Sequence, residues 1–354
     1  MKTYMFPGQG SQARGMGGTL FDEYPDTTRM ADAVLGYSIK ELCLEDPRGA
    51  LGQTQFTQPA LFVVNALSCQ RKLAEGGKPD YFMGHSLGEF NALLAAGCFD
   101  FETGLQLVRM RGELMSRAAS GGMAAILNGG KEEIEAVLRD NGLTNIDLAN
   151  YNAPSQIVIS GARDEIARAQ DCFSKGKMMY YPLNTSGAFH SRFMRPAQAE
   201  FEAFLQQFTL ADPQIPVVSN VTARPYEAGA VAANLAAQIT STVRWSESIQ
   251  HLLALAGSDM QFEEVGYGEV LAKLLLSIRQ QSSGSAEPPK KLGADDKVRT
   301  WNQRHSVGAR VKSTMPGYAE LETRTEALVL FGHRAAVYVK GYNGYFDLDE
   351  LTPF

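Results

Sequence analysis

Cysteine and histidine are scarce in this sequence of 354 residues, which has four cysteines and five histidines. Cys43, Cys69, Cys98 and Cys172 are scattered without any CxxC spacing, which argues against a disulfide framework. They are expected to be small apolar core residues in a reducing compartment. Neither residue type shows metal-ligand spacing, so no metal site is expected.

An excess of positive charge and a long apolar run are also missing. The formal net charge of −6 argues against a general nucleic-acid-binding protein. No apolar run approaches the length that spans a membrane, and Pro7-Gly8 breaks the first apolar stretch too early for a signal peptide. We therefore expect a cytoplasmic protein with neither a nucleic-acid nor a membrane partner.

The sequence does contain a nucleophile elbow, Gly84-His85-Ser86-Leu87-Gly88-Glu89. The pattern Gly-x-Ser-x-Gly holds a serine on a sharp turn between a strand and a helix, and leaves the next backbone N–H free to stabilise an oxyanion. Residues 79–83 are predicted to form a buried strand and residues 89–97 an apolar helix, which is the context that this motif needs. The alternative is a solvated turn serine. The motif in this context predicts acyl transfer through a covalent acyl-serine.

A glycine-rich loop, Gly8-Gln9-Gly10-Ser11-Gln12, follows the first predicted strand. A loop of this kind can hold a phosphate group. It lacks both the Gly-Lys-Ser/Thr ending of a P-loop and the full GxGxxG spacing, so we reject a nucleotide site.

The order of predicted elements indicates an α/β protein with more than one domain. Residues 122–186 show the order βαββαβ of a ferredoxin-like unit, which would be inserted into a core made of residues 1–121 and 187–280. Residues 281–297, rich in serine, glycine and proline, are expected to be a linker. Residues 298–354 are expected to form a small accessory β module, with a strand predicted over 298–311.

Six separated motifs together resemble those of the malonyl-CoA:acyl carrier protein transacylases. Within that family, the chain is most similar to the free-standing acyltransferases that serve polyketide synthases lacking their own acyltransferase domain. The resemblance covers residues 1–280 and implies an α/β-hydrolase-like large subdomain around the inserted small one, with the mainly-β tail outside it. The motifs are Phe6-Pro7-Gly8-Gln9-Gly10-Ser11-Gln12, Gln58-Pro59-Ala60, the elbow, Arg111-Gly112-Glu113-Leu114-Met115, Asn152-Ala153-Pro154 and Gly187-Ala188-Phe189-His190-Ser191.

The resemblance assigns the catalytic groups. Ser86 would be the nucleophile and His190 its general base. A backbone carbonyl, supplied by Gln238, would orient the histidine in place of the carboxylate of a serine hydrolase. The backbone N–H groups of Gln9 and Leu87 would form the oxyanion hole.

The resemblance also assigns the substrate-binding residues. Arg111 would bind the free carboxylate of a malonyl group through two parallel hydrogen bonds, whereas a solvated helix arginine is the structural alternative. Phe189 would exclude an additional methyl group at C2. Gln58, Met115 and Asn152 are expected to line the pocket.

The implied activity is ping-pong transfer of malonyl from malonyl-CoA to the phosphopantetheine thiol of an acyl carrier protein, supplying extender units for polyketide or fatty acid synthesis without a resident cofactor. A proofreading acyl hydrolase on the same fold is the alternative, and such hydrolases typically lack the arginine. A carrier-binding scaffold with an inactive site is a third hypothesis. Many relatives carry a basic pair for carrier docking near the end of the last core helix. Here the candidates are Arg279 and, near the cleft, Arg192 and Arg195. A different docking mode, with all three as ordinary solvated charges, is the alternative.

Overall fold

The structure, a computed structural model, divides into two compact units, Met1–Ser283 and Gly284–Phe354. Most of the predicted linker 281–297 lies outside the described residues. None of the described helices combines the length and apolar character that a membrane crossing requires. The described residues are 1–117, 121–174, 176–185, 187–256, 259–282, 294–313, 320–330, 334–341 and 345–353.

The first unit mixes strands and helices along its whole length. In chain order, its strands are β1 (Lys2–Phe6), β2 (Tyr81–Gly84), β3 (Gly122–Leu127), β4 (Ile146–Ala153), β5 (Gln156–Gly161), β6 (Met179–Leu183), β7 (Val217–Val218) and β8 (Gln261–Glu264). Its helices are α1 (Leu20–Glu23), α2 (Pro25–Leu35), α3 (Ile39–Leu44), α4 (Thr54–Ala74), α5 (Gly88–Ala95), α6 (Phe101–Arg117), α7 (Lys131–Asp140), α8 (Arg163–Phe173), α9 (Arg195–Leu205), α10 (Val231–Gln238), α11 (Trp245–Ala256) and α12 (Val270–Ser282).

Four strands of this unit form a parallel sheet in the order β7-β2-β1-β8. Parallel strands covered on both faces are nearly continuous apolar runs, as Tyr4-Met5-Phe6 and Phe82-Met83 are. Phe6 at the end of β1 lies opposite Gly84 at the end of β2. The carboxyl ends of the two strands therefore meet at one edge, and this brings the glycine-rich loop beside the elbow.

A second, antiparallel sheet has the strand order β4-β5-β3-β6. The elements β3, α7, β4, β5, α8 and β6 follow one another in the βαββαβ order predicted for residues 122–186. Helices α7 and α8 are packed on this sheet, because Ile134 and Ile166 are buried in one cluster with Ile126 and Ile159 of the strands. The first unit is therefore a mixed α/β fold with one parallel and one antiparallel sheet.

Helices α4 and α6 pack against each other in the core of the first unit. Most of α4 is buried, including its apolar run 60–67. This packing brings Gln58 of α4 next to Arg111 of α6.

The second unit contains α13 (Ala294–Arg304) and two three-stranded antiparallel sheets. The prediction of a strand over 298–311 is wrong for residues 298–304, which are helical. Ala294, Val298 and Trp301 recur at helical spacing and pack on a cluster that includes Val311. The strands are β9 (Arg310–Ser313), β10 (Leu321–Glu322), β11 (Leu328–Leu330), β12 (Arg334–Tyr338), β13 (Tyr345–Asp347) and β14 (Leu351–Pro353), in the orders β10-β9-β14 and β11-β12-β13.

Candidate active site

Ser86 lies on the tight turn between β2 and α5, as the elbow motif predicts. Its φ of +51° is in the left-handed region, which residues with a side chain rarely adopt. The flanking glycines are required by close backbone approach. A Cβ on Gly84 would lie 1.9 Å from the carbonyl carbon of Gly88, and a Cβ on Gly88 would lie 2.0 Å from the carbonyl oxygen of Phe6. The turn is thus closed by backbone on both sides of the serine.

His190 is hydrogen-bonded to this serine. Its Nε2 lies 2.7 Å from Ser86 Oγ, and its Nδ1 lies 2.9 Å from the carbonyl oxygen of Gln238. Because a carbonyl can only accept, Nδ1 carries the proton and Nε2 is free to accept from the serine hydroxyl. Burial, and next the positive charge of Arg111, lower the pKa of His190 to about 3. The imidazole is therefore neutral, and can act as a base, at neutral pH.

Two backbone N–H groups lie beside the serine without a hydrogen-bond acceptor. Leu87 follows Ser86 at the start of α5, and Gln9 is in the glycine-rich loop. Within the described part of the chain, neither amide donates a hydrogen bond. The loop lies against the elbow, because a Cβ on Gly8 would be 2.3 Å from the carbonyl oxygen of His85. Two unpaired donors at a reactive serine have the chemistry of an oxyanion hole.

Arg111 is buried rather than solvated, with 1% of its surface exposed. Its Nη1 donates to Gln58 Oε1 at 2.6 Å, and its Nη2 donates to Gln238 Oε1 at 2.8 Å and to Ser86 Oγ at 3.1 Å. Its Nε has no partner among the described residues. Burial lowers the pKa of the guanidinium to about 10, so it remains cationic at neutral pH. The guanidinium is therefore within hydrogen-bond distance of the nucleophile, and its Nε–H group is available to a ligand.

The remaining predicted pocket residues surround the same cleft, which has a volume of about 160 Å³. Phe189 is buried in its wall, next to His190 in sequence. Gln58 connects Arg111 to the Met115 sulfur, which lies 3.5 Å from Gln58 Nε2. Asn152 Oδ1 lies 2.8 Å from His85 Nε2 and so reaches the elbow from the second sheet. Nine of the ten predicted site residues line this cleft. The tenth, Gln238, contacts two of them, Arg111 and His190.

Sequence reasoning missed two residues that hold the elbow. Glu89, the last residue of the elbow motif, is completely buried and accepts a hydrogen bond from the backbone N–H of Asn220 at 2.9 Å. Asn220 Oδ1 in turn accepts from the Ser86 N–H at 2.7 Å. The signal for Glu89 was present, because it is the one charged residue in the apolar segment 89–97. Asn220 follows the end of a parallel strand, the edge at which such sites form.

A larger, open groove of about 630 Å³ meets the cleft at His190. Arg192 and Arg195 lie in its wall, but Arg192 is paired with Asp147. Arg279 lies elsewhere and donates to the carbonyl oxygen of Met260. Of the three arginines considered for carrier docking, two therefore border the opening beside the histidine.

The strand-to-helix elbow, the Ser86–His190 pair and the two free amides form the kind of site that serine enzymes of acyl transfer use. A family model described as an acyl transferase domain matches residues 3–275. The chain belongs to this acyltransferase family.

Relatives and solved structures agree with this membership. The polyketide biosynthesis malonyl CoA-acyl carrier protein transacylase BaeC of Bacillus velezensis is 54% identical over 80% of this chain and 99% of its own length. A crystal structure of a malonyl CoA-acyl carrier protein transacylase from Burkholderia pseudomallei is 61% identical, with a TM-score of 0.78 over 79% of this chain and 98% of that chain. A complex of a type II PKS acyl-carrier protein with its malonyl-transacylase is 34% identical, with a TM-score of 0.74 over 79% of this chain and 93% of the other.

Proposed function

We propose that this protein transfers the malonyl group of malonyl-CoA to the phosphopantetheine thiol of an acyl carrier protein, supplying extender units for polyketide synthesis. One observation carries the proposal. Ser86 Oγ lies 2.7 Å from the base His190 and 3.1 Å from the buried cation of Arg111. A nucleophile beside a fixed cation suits an acyl group that carries its own carboxylate.

The first half-reaction acylates the enzyme. Ser86 Oγ attacks the thioester carbonyl carbon while its proton moves to His190 Nε2, and the N–H groups of Gln9 and Leu87 stabilise the oxyanion. Collapse of this intermediate breaks the C–S bond. The CoA sulfur leaves with the proton from His190, and the malonyl group remains as an ester on Ser86.

The second half-reaction reverses these roles. The carrier's thiol gives its proton to His190 and attacks the ester carbonyl. The C–O bond then breaks, and Ser86 recovers its proton from the histidine. The carbonyl oxygen of Gln238 keeps Nδ1 protonated throughout, so that Nε2 alone moves the proton. The Ser–His pair and the backbone amides supply every group these steps need, so no resident cofactor is proposed.

Arg111 connects substrate choice to the basicity of His190. Burial is the main cause of the low pKa of that histidine, and the positive charge of Arg111 is the next. A malonyl carboxylate bound to the guanidinium neutralises this charge, which favours the imidazolium that forms when Ser86 loses its proton. A neutral acyl group leaves the cation uncompensated. The same contact therefore selects the malonyl group and supports its transfer.

The other predicted cleft residues shape the acyl pocket. Phe189 places a buried ring beside the acyl carbon next to the ester and opposes a methyl branch there. Gln58 and Met115 fix the guanidinium from the side of α4 and α6, and Asn152 steadies the elbow through His85. The groove at His190, with Arg192 and Arg195 in its wall, is the proposed approach for the thiol of the carrier.

The proposal includes the finer architecture. Residues 1–121 and 187–280 would be an α/β-hydrolase-like subdomain, and residues 122–186 a ferredoxin-like subdomain inserted into it. The topology of the two sheets supports this division. A cytoplasmic location fits the use of CoA and of carrier proteins.

The test separates transfer from hydrolysis. The protein is mixed with malonyl-CoA and then with phosphopantetheinylated carrier protein, and both malonyl-carrier and free malonate are measured. A transacylase converts most of the malonyl group to malonyl-carrier. A proofreading hydrolase releases free malonate at the same rate with or without the carrier, and that result would overturn the proposal.

A further inference from the structure

Glu89 is a completely buried carboxylate to which the proposed mechanism gives no role. It lies in the first turn of α5, three residues after Ser86. Its Oε1 accepts hydrogen bonds from the Asn220 N–H at 2.9 Å and the Tyr226 hydroxyl at 2.8 Å. Its Oε2 accepts from the side-chain N–H of Gln238. Three donors thus converge on one carboxylate behind the elbow.

Two of these donors hold the backbone of the strained serine from opposite sides. Asn220 accepts from the Ser86 N–H at 2.7 Å and donates to the carbonyl oxygen of Gly84 at 2.7 Å. Gln238 Nε2, besides contacting Glu89, donates to the carbonyl oxygen of Ser86 at 2.9 Å. The φ of +51° at Ser86 is therefore fixed by two amide side chains that both depend on Glu89.

Gln238 also holds the other two functional groups. Its Oε1 accepts from Arg111 Nη2 at 2.8 Å, and its backbone carbonyl accepts from His190 Nδ1 at 2.9 Å. The amide can serve Arg111 only when its oxygen faces the guanidinium. Glu89 fixes this orientation, because a carboxylate accepts from the NH₂ group and repels the amide oxygen.

We propose that Glu89 is the positioning residue of this active site, a buried anion that sets Asn220 and Gln238 and through them aligns Ser86, His190 and Arg111. This inference rests on the proposed acyl-serine function. Glu89 touches no reacting atom, so its effect is on the alignment of the three groups that do.

The three donors favour the ionised form of this side chain, because hydrogen bonds to a carboxylate are roughly twice as strong as those to a neutral acceptor. An amide in its place would set an N–H group against one of the donors. Burial raises the pKa of Glu89 to about 7, while the bonds from Asn220, Tyr226 and Gln238 and the charge of Arg111 oppose that rise. The pKa of His190 is much lower, at about 3, so its titration falls in a different range.

The test compares Glu89→Gln with Glu165→Gln in the full-length protein. Glu165 is a similarly buried carboxylate that accepts two hydrogen bonds from Asn145, outside the cleft. The probe is phenylmethylsulfonyl fluoride, a neutral serine reagent that makes no demand on a malonyl site. Because Glu89→Gln sets donor against donor at Gln238, labelling of Ser86 should slow by about ten- to hundred-fold. Glu165→Gln should label at the wild-type rate.

Two further measurements separate alignment from general loss of structure. Glu89→Asp keeps the charge and should restore part of the labelling rate. The wild-type rate should fall as pH drops below about 7, where Glu89 gains its proton, and the Glu89→Gln rate should be flat there. A wild-type rate that does not change with pH would count against Glu89 without any variant, so the proposal stays testable even if Glu89→Gln fails to fold.

Labelling of folded Glu89→Gln at the wild-type rate, or a wild-type rate that is constant across pH 7, would overturn the proposal. A protein that is labelled as expected yet takes no malonyl from malonyl-CoA would instead refute the malonyl function alone.

Discussion

Replacement of Arg111 by alanine tests whether this guanidinium selects the acyl group. Arg111 is buried with three hydrogen bonds, to Gln58, Gln238 and Ser86. Removal of one partner from a buried, hydrogen-bonded charge pair costs about 2–5 kcal/mol. The efficiency of transfer from malonyl-CoA should therefore fall by roughly 30-fold to roughly 5,000-fold.

Acetyl-CoA provides the internal reference, because an acetyl group has no carboxylate that Arg111 could bind. General damage to the cleft affects both substrates equally, so the informative quantity is the ratio of malonyl to acetyl kcat/KM. This ratio should fall in Arg111→Ala by most of the malonyl loss. It should remain unchanged in Arg109→Ala, because that arginine of the same helix is half-exposed and pairs with Glu113. Steady-state transfer to a carrier protein, with each CoA thioester varied, gives both constants.

The outcome that refutes this reasoning is an unchanged ratio in Arg111→Ala. Such a result would mean that another group binds the malonyl carboxylate. Arg111 would then only maintain the structure of the cleft around Ser86. A loss shared equally by malonyl and acetyl would lead to the same conclusion.

Three other changes give distinct results. Phe189→Ser should admit methylmalonyl-CoA and raise its efficiency relative to malonyl-CoA by about tenfold, since one methyl group is worth about 1–3 kcal/mol in a pocket; unchanged exclusion would show that the ring does not face C2. Gly88→Ala should leave little active folded protein, because its Cβ would lie 2.0 Å from the Phe6 carbonyl oxygen, and full activity would contradict the tight elbow. His190→Gln should flatten the fall of the melting temperature on acidification. The folded protein holds this histidine neutral with a pKa of about 3 instead of 6.5, so its contribution to stability is present above pH 6.5 and lost toward pH 3. Equal slopes in thermal scans of the two proteins would show that His190 is not buried as a neutral base.

The site could be predicted from the sequence where a local motif fixes the backbone. The spacing of Gly84, Ser86 and Gly88 determines the elbow, because neither glycine has room for a Cβ. The backbone of Gly88 lies too close to Gly84, and the backbone of Phe6 at the end of β1 lies too close to Gly88. The βαββαβ order of residues 122–186 could also be predicted from local sequence, because each element shows its own apolar periodicity.

What the sequence could not show is how distant side chains combine. Asn220 and Gln238 meet Glu89 only because the chain returns to the parallel sheet after it has formed the antiparallel one, and no local pattern encodes those contacts. For the same reason the elbow motif alone gives no role to Glu89, whose position in the first turn of a helix is typical of an ordinary charge. The helix at residues 294–304 was not predicted, because Ala294 fell within the expected linker 281–297. Val298 and Trp301 alone are too few to show a helical spacing of apolar residues.

The central claim is that Ser86 carries the malonyl group between two thiols, and intact mass spectrometry with peptide mapping tests it most directly. After brief mixing with malonyl-CoA, the wild-type protein should gain the mass of one malonyl group on the peptide that contains Ser86, and this mass should disappear when carrier protein is added. Ser86→Ala should gain no such mass. A malonyl adduct that persists in Ser86→Ala, or that maps to another residue, would contradict the account.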